Sequence, residues 1–128
     1  MPPFDKSTQT TIDVYEYDVY WETYVDLNNI LVITPFMKNR YNGSEIKYNT
    51  DTVDLFLDRL QNATNYIVVK YEDNTYIINY IVVLELINQY NCEYVNLDNN
   101  IIPCDKESKL YEACMLSYQE LKPYILVY

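Results

Sequence analysis

The stretch from Asn65 to Tyr90, NYIVVKYEDNTYIINYIVVLELINQY, constrains the fold more than any other part of the chain. Two runs rich in β-branched and aromatic residues flank Asp73-Asn74, a pair suited to the positive φ of tight turns, so the segment predicts an antiparallel hairpin. With those two residues as the loop, Tyr71 faces Tyr76, Val69 faces Ile78 and Ile67 faces Tyr80, which gathers one wholly apolar face. The other face holds Val68, Lys70 and Glu72 with Thr75, Ile77 and Asn79. A slip of one residue would mix the two sets, so the pattern itself specifies which side chains face together. Beyond Tyr80, Ile81 to Tyr90 fits a strand or a helix; in the helical reading Leu84 and Ile87 share a face with Val83 or Tyr80.

The remaining segments supply partners for this hairpin. Residues 1–10 are polar, with Pro2-Pro3, and read as a flexible lead-in to a single domain over 11–128. From 12 to 25 the period is two: Tyr15, Tyr17, Val19 and Trp21 share one parity, and Glu16, Asp18 and Glu22 the other, as in a half-buried strand. Ile30 to Thr34 reads as a short buried strand ended by Pro35. Residues 36–50 form a loop or irregular hairpin turning at Asn42-Gly43, with the basic cluster Lys38, Arg40 and Lys47. A helix capped by Thr50 or Asp51 runs to about Asn62, with Val53, Phe56, Leu57 and Leu60 on one side and Asp51, Asp54 and Asp58 on the other.

Glu93 to Leu97 and Ile101-Ile102 pair around Asp98-Asn99-Asn100. Asp105 caps a helix over 106–122, whose buried stripe is Leu110, Ala113, Cys114, Ser117 and Leu121. Tyr124 to Tyr128 ends the chain as a strand, apolar enough to need a place in the sheet. The expected class is α+β: one antiparallel or mixed sheet, including 12–25, 30–34, 66–80 and 124–128, packed against two or three helices.

Composition narrows the chemistry. The chain has 128 residues, 49% of them apolar, which is enough to bury a core without disulfides or metal. Its net charge of −10 disfavours a direct grip on nucleic acid or on an anionic membrane, since both depend on lysine and arginine. With no histidine there is no common catalytic triad, and with one glycine there is no phosphate-cradling loop. Cys92, Cys104 and Cys114 lack C-x-x-C spacing and read as partly buried free thiols in a reducing compartment. No secretory signal and no membrane-spanning run are visible, so a soluble intracellular protein is expected. Neither a cofactor nor a metal is called for, and the chain is not expected to be an enzyme.

Three functional readings remain. The first is a protein-binding or structural protein, expected to self-associate, that uses some of its 16 tyrosines as anchors; they are too many for one core. Tyr111, Met115 and Tyr118, beside the stripe of the last helix, are its candidate contacts. The second is a decoy of nucleic-acid charge that would bind a basic host protein through two acidic rows, Glu16, Asp18 and Glu22, and Asp51, Asp54 and Asp58. The third is a carboxylate-metal nuclease built from the same acids.

The abundance of Tyr, Asn and Ile, the absence of histidine and the short α+β pattern resemble the small accessory proteins encoded by viruses of thermophilic archaea. The resemblance is one of composition and spreads over the whole chain. It implies a virion component or a factor that binds a host protein, and it carries over no functional residue.

Overall fold

In the computed structural model, which describes residues 11–128, the hairpin forms with strands β4 (Tyr66–Tyr71) and β5 (Asn74–Asn79). The turn residues are Glu72-Asp73 rather than Asp73-Asn74, so Val69 faces Tyr76 and Ile67 faces Ile78. The shift moves each partner by two positions, which preserves the faces: Ile67 and Val69 still lie with Tyr76 and Ile78. The cause lies beyond the strand. Asn79 ends the ladder opposite Tyr66 and caps the helix α2 (Tyr80–Tyr90), its Oδ1 accepting from the N–H of Ile81 and of Val82. Tyr80 is therefore helical and cannot face Ile67. Residues 80–90 are helix, and Tyr80, Val83, Leu84 and Ile87 are all on its buried side.

The strands form two sheets, not one. A three-stranded sheet has the order β5-β4-β8, with β8 (Ile125–Val127) parallel to β4. A five-stranded sheet is built from β1 (Tyr17–Val25), β2 (Leu31–Asn39), β3 (Glu45–Lys47), β6 (Tyr94–Leu97) and β7 (Asn100–Pro103). Its order is β1-β2-β6-β7, with β3 also paired to β2. The fold is α+β, with helices packed on sheets.

Pro35 does not end β2; it sits inside the strand, opposite Trp21. Asn39 donates its N–H to Ser44 at 2.7 Å, so by the alternation of a strand the backbone of residue 35 points to that same side. There β2 pairs with β6 only at 31–32 and with β3 only at 36–38. The missing N–H of Pro35 therefore falls in the gap between them and breaks no ladder bond.

Helix α1 (Val53–Leu60) is shorter than expected. Thr52 precedes it and makes no side-chain cap; its hydroxyl oxygen accepts from Asn49 N–H at 2.9 Å and donates to the Lys47 carbonyl at 2.8 Å. Helix α3 (Lys109–Glu120) is capped by Ser108, not Asp105, with the Ser108 oxygen accepting from Tyr111 N–H. Leu121, expected in the buried stripe, instead closes the helix at φ 54° and is 63% exposed.

The three-stranded sheet is covered on both sides. Ile67, Val69 and Ile78 pack with α2 and α3 through Val83, Ile87 and Leu110, while Tyr66, Val68 and Ile77 pack with Phe56 and Leu60 of α1. The five-stranded sheet contributes Leu31, Ile33 and Val95 to the first cluster and Met37 to the second, all from one face. No helix among the described residues is long and apolar enough to cross a membrane.

Candidate functional site

The other face of the five-stranded sheet is left uncovered and carries exposed aromatic and aliphatic side chains. It follows from the parity of β1 and β2. Odd residues turn inward, and even residues turn out: Asp18, Tyr20, Glu22 and Tyr24 on β1, with Val32, Thr34, Phe36 and Lys38 on β2. Register arranges them in rows. Tyr24, Val32, Asn96 and Ile101 form one row across four strands, and Tyr20, Phe36 and Lys47 form another. The Tyr20 and Phe36 rings stack at 5.4 Å. Tyr20 and Tyr24 are 47% and 57% exposed, and Tyr94 and Ile101 are exposed on the same face. Contiguous apolar surface of this kind, rimmed by charge, marks an interaction site more often than chance exposure does.

Half of the tyrosines are exposed, and five more pack half-buried against the core. Three of the 16, Tyr66, Tyr76 and Tyr80, are buried, and burial pushes their phenols up from the ordinary range.

The anticipated strand acids are not one continuous anionic strip. Glu16 lies in a 3-10 turn (Val14–Glu16) before β1, where its carbonyl accepts from Arg40 N–H at 2.9 Å. Asp18 accepts from Arg40 Nη2 at 2.9 Å, and Arg59 Nη2 lies 3.8 Å away. The hydrogen bond from Arg40, aided by both guanidinium charges, holds the Asp18 carboxyl below the usual carboxylate range. Glu22 is exposed, opposite Thr34 and beside a cleft that Lys47 and Glu45 also line.

On the helix side, Asp51 falls before α1, its N–H donating to Asn49 Oδ1, while Asp54 and Asp58 remain on the exposed helix side. The helix reaches the strand row through Arg59, whose Nε donates to the Tyr17 carbonyl at 2.8 Å and whose Nη2 lies 3.8 Å from Asp18. Among the described residues no three carboxylates or thiols converge in an arrangement able to hold a metal ion. The three cysteines are free and buried; contact with Cys104, together with burial, pushes the Cys114 thiol up, away from nucleophilic reactivity.

Tyr111, Met115 and Tyr118 are brought together with α2. Met115 and Tyr118 line a groove of about 310 Å³ with Ile81, Leu84, Glu85 and Asn88. Tyr111 donates its hydroxyl to Asn88 Oδ1 at 3.4 Å, at the edge of that groove. This second surface borders the core, since Leu84 is buried and Met115 packs against the same cluster.

Tyr20, Tyr24, Phe36, Tyr94 and Ile101 were not among the residues that periodicity singled out. The signal was present for two of them: Tyr20 and Tyr24 share the parity of Asp18 and Glu22 and so had to face outward with them. For Phe36, Tyr94 and Ile101 the signal is absent, since it depends on the pairing of β2 with β6 and of β6 with β7.

Comparison with protein-family models, with curated proteins and with solved structures yields no match.

Proposed function

We propose that this is a non-enzymatic protein-binding protein that self-associates through the outer face of its five-stranded sheet. The observation that carries the reading is the aromatic row on that face, Tyr20 stacked on Phe36 with Tyr24, Tyr94 and Ile101 exposed around it. Tyrosines fixed on strands bury large area with little loss of side-chain freedom, as interface anchors do. The charges at the rim are of both signs, with Asp18 and Glu22 on β1, Lys38 on β2, and Glu45 and Lys47 on β3, so the face carries no uniform repulsion against a second copy.

A decoy of nucleic-acid charge draws less support from the same face, because Lys38, Arg40, Lys47 and Arg59 sit among the strand-row carboxylates. The net charge of −10 opposes association at low ionic strength, so the measurement belongs near 0.15 M salt, where the screening length is about 8 Å. Sedimentation velocity over roughly 5 to 500 µM, a range that spans ordinary weak dimers, tests the proposal. The wild type is expected to shift toward a dimer, and Tyr20→Lys combined with Tyr24→Lys to remain monomeric with its helical signal intact. Association of the double variant equal to that of the wild type, or a wild type that stays monomeric throughout, overturns it.

A further inference from the structure

The outer edge of β8 offers a second binding site of a different kind. Val68 donates its N–H to the Tyr124 carbonyl, and Tyr128 donates its N–H to the Lys70 carbonyl, both at 2.8 Å. The backbones of residues 124, 126 and 128 therefore face β4, and by alternation those of Ile125 and Val127 face away from the sheet. Among the described residues no strand lies beyond β8 in the order β5-β4-β8. Ile125 and Val127 are also 61% and 66% exposed, an unusual state for the side chains of an apolar strand.

Ile125 opens onto a cleft of about 610 Å³ between this sheet and α1. Its apolar lining includes Val53, Leu57 and Val68, and Lys70 and Lys122 stand at its margin. Asp54 is the one acid lining it, and neither lysine has a carboxylate within 4.0 Å among the described residues. In a chain with 19 acids and nine bases, two unpaired lysines beside an apolar cleft make a local reversal of the overall charge.

We infer that β8 accepts an extended acidic peptide segment of a partner protein, added as a fourth strand to the three-stranded sheet. Backbone pairing to Ile125 and Val127 supplies attachment, as in other strand additions. The alternate side chains that face the cleft are apolar where they cover Ile125 and Val127, and acidic where they reach Lys122 and Lys70. The opposite strand face carries no such requirement.

The probe is the fluorescein-labelled peptide Glu-Thr-Val-Thr-Val-Thr-Glu, which places both glutamates and both valines on one strand face, titrated by anisotropy. Saturable binding is expected, weakened about tenfold or more by Lys70→Glu with Lys122→Glu, two exposed positions whose reversal leaves the fold intact by circular dichroism. Exchange of both peptide glutamates for lysine should abolish binding. N-methylation of alternate peptide nitrogens should abolish it in one register and spare it in the other, which a purely electrostatic contact would not do. No binding at millimolar protein, binding indifferent to the lysine reversal, or equal binding of the lysine peptide overturns the inference. So does a dimer that dissociates on Ile125→Lys with Val127→Lys, since the edge would then belong to a second copy.

Discussion

The two sheets treat their tyrosines and β-branched residues differently. In β4, YIVVKY, the first four residues are all buried, because α1 covers one face and α2 with α3 the other. In β1, YDVYWETYV, inward and outward residues alternate, yet the outward parity carries Tyr20 and Tyr24 as well as Asp18 and Glu22. A sheet that is sandwiched reads as an unbroken apolar run, and a sheet covered once reads as alternation. Aromatic residues on the exposed parity are the departure from that rule, and they mark the face on which the functional reading rests.

The comparison breaks most sharply by truncation. Ile67→Ala, at a fully buried position on β4, is expected to lower unfolding free energy by about 3 kcal/mol, whereas Tyr24→Thr on the open face of β1 should change it by only about 0.5 kcal/mol in the monomer. Urea unfolding at low protein concentration measures both. Equal losses would mean that the outer face is packed after all.

A smaller effect sharpens the covered side. Ser117 lies on the buried stripe of α3, and its hydroxyl has no hydrogen-bond partner among the described residues. Ser117→Ala should therefore stabilise the fold by about 1 kcal/mol, since it removes an unsatisfied buried group and favours the helix. A loss of stability in the same urea titration would show that the hydroxyl is bonded.

The smallest effect is electrostatic and belongs to the open side. Asp18 is ionised more readily in the fold than in the unfolded chain, chiefly through its hydrogen bond to Arg40. Its contribution is present above the unfolded carboxyl value of about 3.9 and is lost as pH falls through the lower folded value. The stability gap between wild type and Asp18→Asn should thus be small near neutrality and close below about pH 4. A gap that widened with acid would contradict the pairing.

Local signals were legible and distant ones were not. The hairpin faces followed from β-branched parity even though the turn sits one residue earlier, at Glu72-Asp73, because facing sets survive a shift of partners by two. Asn79 as a cap was hidden in an apolar run that reads equally as strand, so the helix at 80–90 emerged only from the fold. Pro35 looked like a stop because nothing in the sequence shows that its side of β2 lies in a gap between β6 and β3. Leu121 matched the helical stripe by spacing, but the helix turns off at that residue with positive φ. Division into two sheets depends on parallel pairings of β2 with β6 and β4 with β8, which join residues far apart in the chain. Of the candidate contacts, Met115 and Tyr118 share a groove with α2, whereas the strand row is interrupted by Arg40 and by Arg59, which reaches it from α1.

The central claim, that the outer sheet face is where copies of this chain meet, is tested most directly by amide chemical shifts recorded at about 20 µM and about 1 mM, concentrations on either side of a weak dimer's dissociation constant. The account predicts concentration-dependent shifts grouped on β1, β2, β6 and β7 around Tyr20, Tyr24, Phe36 and Ile101. Shifts grouped on β8 or on the α2–α3 groove, or spectra that do not change, would contradict it.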